Sequence, residues 1–474
     1  LPFTQGTITA RSEDGASFEF RVHDGYPSLT PDYLEKHIHL FDPERPLWKR
    51  DAPDFYPRQV EALDPRRGRL LFRAGTPFLD RIAVGDRVVL NKRVSNAIRF
   101  VDCEDVRVED VTVLAGPGCG IIARYMRGDN RFRFDIRPGP PPAGATQPRL
   151  FSTCADGFNY AFATRGPTLE RSRFSFMGDD SVNLHGATLA FVRQESPTEV
   201  LAVWPYSPEA LASVVPAGSP LRRLRPGSFA VEGEAPILSF TPEAKPDPEL
   251  LKRIPVVWPR NVPGRGTLWR IRLAQPLPCA EGDFLDLPGT CAPGFRISGC
   301  EFADHRARGV RIMAGRGLIE GNTFRRLKMA AITLGAEYGF WREAGWVEDV
   351  TVRENTIEDV GADPSTFSGR SYTLGAISTF CRQEEFGGKW PIAPGNRKIV
   401  IEGNTIRGCS VAGIYVRAAE DVVVRGNTLS RTNWAEAPDA GSEAGLDVKE
   451  PIDVRGVNAA RVENNQVSEV GVAP

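Results

Sequence analysis

No stretch of about 18 uninterrupted apolar residues occurs in the chain, so no membrane-spanning helix is expected. Neither sign of charge is in excess. The 59 Lys and Arg face 60 Asp and Glu, which removes any electrostatic reason to expect nucleic acid or an anionic membrane as partner. The eight Cys include no CxxC pair, so neither a zinc site nor a disulfide framework is indicated, and the thiols read as small buried hydrophobes. His23, His37, His39 and His305 show no ligand spacing. No metal and no cofactor is expected. The chain begins at Leu1 rather than Met, so it is read as processed or excised, with any signal peptide outside the sequence.

What is abundant is turn material. Forty-six Gly and 39 Pro argue against long helices. One short pattern recurs: Ile319-Glu-Gly-Asn-Thr-Phe324, Val352-Arg-Glu-Asn-Thr-Ile357, Ile401-Glu-Gly-Asn-Thr-Ile406, Val424-Arg-Gly-Asn-Thr-Leu429 and Val462-Glu-Asn-Asn-Gln-Val467. Ile297–Phe302 and Leu169–Phe174 are weaker copies. Cys300 and Asn322 are 22 apart, and Asn404 and Asn427 are 23 apart. Each copy reads as two short strands joined by a corner at the Asn, a residue that tolerates the left-handed conformation. The unit is too short for paired helices and lacks the Leu spacing of leucine-rich repeats. It fits an all-β fold, a right-handed parallel β-helix with one coil per unit.

Two regions break the period with alternating, strand-like runs. They close on similar strings, Ala83-Val-Gly-Asp86 and Ala280-Glu-Gly-Asp283. Both are read as small, related antiparallel modules, barrel-like, inserted in the solenoid. The expected organisation is a first module and entry to the solenoid at 1–95, coils at 96–186, a second module at 187–290 and coils at 291–474.

The stretch Phe174-Ser-Phe-Met-Gly-Asp-Asp-Ser-Val-Asn-Leu-His-Gly186 places Asp179 beside Asp180, where a strand disfavours both. A solvated turn and a pair of active-site carboxylates each account for it. Asp156 stands 23 residues earlier, one coil, so it is expected one ladder step from Asp179 on the same face. Three carboxylates on one wall repel, which raises at least one pKa and keeps a carboxylic acid protonated near neutral pH. That combination suits glycoside hydrolysis: an acid for the leaving oxygen and a carboxylate for water. Asn159, Asn183 and His185 are candidates for sugar hydroxyls, although His185 reads equally well as a satisfied corner residue. Glu337 and Trp341 lie in an aromatic-rich interrupted coil that suits a sugar. Trp346 reads as core. Arg311 reads either as facing the cleft or as a solvated strand residue.

The strings Cys154-Ala-Asp-Gly-Phe-Asn-Tyr160, Met177-Gly-Asp-Asp-Ser-Val-Asn-Leu-His-Gly186 and Leu334–Val352 resemble glycoside hydrolase family 110. The resemblance covers most of the chain. It implies a β-helix with two barrel-like insertions and a metal-independent, inverting exo-α-1,3-galactosidase acting on group B-type or linear Galα1-3Gal ends. It maps the general acid to Asp156 and the base to Asp179 and/or Asp180. The loops at 361–396 look individual. A glycan with terminal α-galactose would be the partner, and a secreted or periplasmic bacterial-type location is expected. The flank of a sheet-rich solenoid can pair with a second copy, so a homo-oligomer is among the expectations.

Two other readings stand beside this one. The Asp…Asp-Asp pattern also resembles polygalacturonase-type β-helix glycosidases. Those add a Gly-His-Gly, absent here, and an Arg-Ile-Lys that Arg311-Ile-Met313 echoes in part. A non-catalytic β-helix adhesin or carbohydrate-binding protein would use the three Asp as a Ca²⁺ cluster.

Overall fold

The computed structural model describes residues 1–473 apart from 35–36, 51, 205–209, 246, 252–265, 339–340, 362–372, 382–393 and 436–449. Most of the 361–396 segment singled out above therefore lies outside the described residues. Parallel strands stack coil upon coil from Ile98–Val101 to Gln466–Ser468, and the fold is a right-handed parallel β-helix. Among the described residues, no helix is long and apolar enough to cross a membrane.

The recurring motif explains the stacking. Its two apolar positions point inward and align between coils: Ile297 on Ile319 on Val352 on Ile401 on Val424, and Phe302 on Phe324 on Ile357 on Ile406 on Leu429. Phe302 and Phe324 stack at 4.8 Å between centroids. Burial of each such side chain stabilises by roughly 1.5–3 kcal/mol, repeated at every coil.

The Asn positions behave differently from the expectation. The left-handed residue at the corner is the one before the Asn: Gly321, Glu354, Gly403, Gly426 and Asn464 all have positive φ. Asn322, Asn355, Asn404 and Asn427 themselves turn inward and form a ladder. The Oδ1 of Asn404 accepts from the backbone N–H of Asn355 at 3.0 Å and from its Nδ2 at 2.9 Å, while Asn404 Nδ2 donates to the Val352 carbonyl at 3.0 Å. The motif selects Asn because one short amide side chain satisfies two buried donors and one buried acceptor. Asn404→Ala is accordingly expected to cost about 2–4 kcal/mol through the partners left unsatisfied. A urea midpoint equal to that of the parent would contradict the ladder role.

The two modules are antiparallel. The first runs over Phe3–Asn91 as a six-stranded sheet. In the second, Val182–Ser196 pairs with both Phe284–Leu287 and Glu199–Trp204, which closes the sheet into a barrel. The similar strings fold into the same turn. Asp86 Oδ2 accepts from Ala83 N at 2.8 Å, and Asp283 Oδ2 from Ala280 N at 2.7 Å, with Gly85 and Gly282 both left-handed. The second module leaves the solenoid without a break: residues 182–184 of Val182–Ser196 lie in the coil ladder, while 187–190 lie in the barrel. The 186/187 boundary thus falls inside one strand. The coil strand that carries Asn183 and His185 is therefore anchored at both ends.

Candidate active site

The turn that carries Asp179 and Asp180 packs directly on the turn of the preceding coil. A Cβ on Gly178 would lie 2.7 Å from the Cys154 carbonyl oxygen. Close approach, rather than a positive φ, requires this glycine. Pairing of Phe158 with Val182 sets the step at 24 residues, so Asp180, not Asp179, stands on Asp156. The step to the next coil, Val182 to Val310, puts Arg308 on Asp180. The ladder at this position reads Asp156, Asp180, Arg308, and Asp179 projects to its side.

The three carboxylates offer oxygens that lie within 4.8 Å of one another, yet their surroundings differ. Asp180 is 2% exposed. Arg308 donates to it from Nε at 2.8 Å, from Nη2 at 2.9 Å and from its backbone N at 3.0 Å. Burial pushes the Asp180 pKa up, but the charge and hydrogen bonds of Arg308 outweigh it and hold the group below the ordinary carboxylate range. Asp156 has no cationic partner among its described hydrogen bonds. Asn159 Nδ2 donates to its Oδ2 at 2.6 Å. Burial first, then the charges of Asp179 and Asp180, hold its pKa well above the ordinary value. Asp179 keeps 29% of its side chain exposed and accepts from Arg306 Nη1 at 3.0 Å.

Two further rows line the wall. Asn159, Asn183, Arg311 and Thr333 stack on the outer face of one sheet. His185 stands above Ala161 and Arg124. The Asn183 Oδ1 lies 3.0 Å from His185 Nδ1, so that nitrogen carries the proton. Burial, with Arg124 and Arg311 nearby, holds the His185 pKa well below its usual value, so the ring is neutral and Nε2 is an acceptor. Arg311 is 5% exposed, so it is not a solvated strand residue. It forms an ion pair with Glu337 and another with Glu343, the latter at 2.9 Å. Glu343 is brought in by the short strand Glu343–Ala344, which pairs with Gly186 and Ala187. Trp341 is half-buried in the loop that joins Glu337 to Glu343. Trp346 is buried and donates its Nε1 to the Phe229 carbonyl at 3.0 Å, tying the coils to the second module.

Arg306, Arg308 and Glu343 were not recognisable in the sequence. Arg308 is 128 residues from Asp180 because the whole second module intervenes. The coil motif at Ile297–Phe302 was the available signal, since it reopens the ladder just before Arg308.

A second cluster lies beside the first, in the N-terminal module. His37 and His39, two apart beside one strand, bring ring nitrogens within 4.8 Å of the Asp54 carboxylate. Asp54 is already clasped by Arg306 through Nε at 2.7 Å and through Nη2, which occupies the carboxylate with a guanidinium.

Residues 289–473 match the family described as right handed beta helix region. Among curated proteins the chain is similar to alpha-1,3-galactosidase B of Bacteroides thetaiotaomicron, at 22% identity over 412 residues, covering 83% of this chain and 60% of that protein. It is also similar to alpha-1,3-galactosidase A of Bacteroides fragilis, at 22% identity over 316 residues, covering 66% of this chain and 47% of that protein. The chain thus spans about half to three-fifths of the length of these relatives. Among solved structures, the A-module of a mannuronan C-5 epimerase from Azotobacter vinelandii aligns with a TM-score of 0.21 and 7% identity, over 78% of this chain and 58% of that one.

Proposed function

We propose that this chain is an exo-acting glycoside hydrolase that releases terminal α-1,3-linked galactose. The observation that carries the reading is the unequal setting of two stacked carboxylates: Asp156 is buried beside two other carboxylates and takes a hydrogen bond from Asn159, which raises its pKa, while Arg308 holds both oxygens of Asp180 and lowers its pKa. A protonated acid next to a fixed anion is what glycosidic cleavage needs. Asp156 gives its proton to the leaving oxygen. Asp179, the carboxylate that meets solvent, takes the proton of the attacking water, and Asp180 supplies the fixed negative charge. Asn183, the neutral His185 and the Arg311–Glu337–Glu343 group receive the hydroxyls of the released sugar. The names of the curated relatives support galactose, and a location outside the cytoplasm, secreted or periplasmic, goes with such a substrate.

A uronate reading is disfavoured by Glu337 and Glu343, which would face the substrate carboxylate and already use Arg311. A second stereochemical reading rests on distance. Oxygens within 4.8 Å are closer than the roughly 6.5–9.5 Å typical of inverting carboxyl pairs, and by themselves favour retention. Against this, both oxygens of Asp180 are held by Arg308, which leaves it a poor nucleophile. With Asp179 activating a water that attacks the anomeric carbon directly, the configuration inverts.

The test is incubation with Galα1-3Gal, Galα1-4Gal, the group B trisaccharide and polygalacturonate, with and without chelator, followed by proton NMR. Free galactose from the α-1,3 ends is expected, insensitive to chelator, with the β anomer first. An α anomer appearing first would establish retention. Activity confined to polygalacturonate would end the galactosidase reading, and chelator-sensitive binding without turnover would favour the calcium-dependent adhesin.

A further inference from the structure

The acid cluster is enclosed unevenly. On one side Asn183, His185, Arg311 and Glu337 are at most 5% exposed. On the other, the part-exposed Asp179 meets residues of the N-terminal module. Arg306 joins Asp179 to Asp54, and the Asp54 carboxylate lies within 4.8 Å of a His37 ring nitrogen. His37 stacks on Tyr56, with centroids 4.6 Å apart and 12° between the planes. Tyr56 is nevertheless 63% exposed, so His37 covers one face and leaves the rest of the ring to solvent. The chain of contacts Asp179–Arg306–Asp54–His37–Tyr56 leads from the acid cluster to this exposed ring, which stands at the mouth of the same cleft. Arg93 completes the group. Its Nη2 stands 3.7 Å from Asp179 Oδ2 in an ion pair, and 28% of its side chain remains exposed.

An open aromatic face beside a part-exposed guanidinium matches a pyranose ring. The sugar's C–H face packs on the aromatic, and its hydroxyl oxygens accept from the guanidinium. The burial gradient fixes the direction. An exo-enzyme holds the sugar it releases in the closed end, so the leaving sugar extends toward the open one. Resting on the galactosidase reading, we propose that Tyr56 and Arg93 form the subsite for the sugar on the leaving-group side. The N-terminal module, rather than the coils, then selects the acceptor.

The test compares kcat/KM on Galα1-3Gal with kcat/KM on α-galactosyl fluoride, whose leaving group is a single atom. Tyr56→Ala should lower the ratio of the two values about tenfold, because only the disaccharide loses a stacking surface. Tyr56→Phe, which keeps the ring, should hold the ratio within about twofold. Arg93→Gln should lower it as well. An equal fall on both substrates would overturn the proposal. A second measurement uses saturation-transfer NMR of Galα1-3Gal bound to the Asp156→Asn enzyme. Contacts to the reducing-end ring should vanish on adding Tyr56→Ala, while contacts to the non-reducing galactose persist. If the reducing-end contacts survive, the subsite is wrong and the galactosidase reading stands. If neither ring gives a contact and the parent releases no galactose from either substrate, both fall.

Discussion

Asp156→Asn is expected to lose about 10²–10⁴-fold in kcat/KM on Galα1-3Gal, and far less on a nitrophenyl α-galactoside. Asp156 is 8% exposed, stands directly on Asp180 in the ladder and receives a hydrogen bond from Asn159. Burial first, then two neighbouring carboxylates, raise its pKa well above the ordinary value. Asn has the same shape and keeps a donor, so the coil should fold as before. What disappears is a proton that can be transferred. A sugar alkoxide cannot leave without that proton, whereas nitrophenolate can. The pH profile should change in a matching way. In the parent, activity needs protonated Asp156 and falls on the alkaline side as that group ionises, at a pH well above the ordinary carboxylate range. In the Asn variant on the nitrophenyl substrate that alkaline fall should be absent. Equal losses on the two substrates, or an unchanged alkaline limb, would remove Asp156 from the role of acid.

The coils and the site differ in how local their sequence signals are. The coil motif is local. An apolar residue, a corner and a second apolar residue within six positions define a repeat that needs nothing from elsewhere in the chain, and the Asn ladder links like to like. The conformational reason given for the Asn was nonetheless wrong, since the strained φ sits one residue earlier and the amide serves hydrogen bonds. Register was the second failure. Coil length is not constant, so counting 23 residues back from Asp179 reached Asp156, while the paired strands count 24 and reach it from Asp180. A slip of one residue changes the neighbour of every side chain in the row. The partners of the acids were hidden for a topological reason. Arg306 and Arg308 follow the second module, Asp54 precedes the solenoid, and Glu343 arrives on a hairpin with no strand-like pattern of its own. Each is brought to the site by stacking, which carries no sequence spacing.

Arg308→Gln should affect stability and activity together, and its pH dependence separates it from an ordinary core substitution. Arg308 is 8% exposed and occupies both oxygens of Asp180. Removing one partner of a buried pair leaves an uncompensated charge, which costs about 3–5 kcal/mol. The sign follows from the direction of the shift. In the parent, the Asp180 pKa is lowered, so the pair contributes stability that is present above the unfolded carboxylate value and is lost as pH falls through the folded one. In the variant only Arg311 is left to oppose burial, so the Asp180 pKa should rise and the group should take up a proton as pH falls toward neutral. The destabilisation should therefore be largest near pH 7 and should shrink toward about pH 4, where the unfolded chain binds that proton too. Activity should fall by about 10²-fold or more, because the proton would be shared between Asp156 and Asp180 and the fixed anion beside the acid would be lost. Urea midpoints of parent and variant at pH 4 and pH 7, with kcat on Galα1-3Gal, provide the check. A stability difference that is the same at both pH values would mean that Arg308 contributes packing alone and does not hold Asp180 ionised.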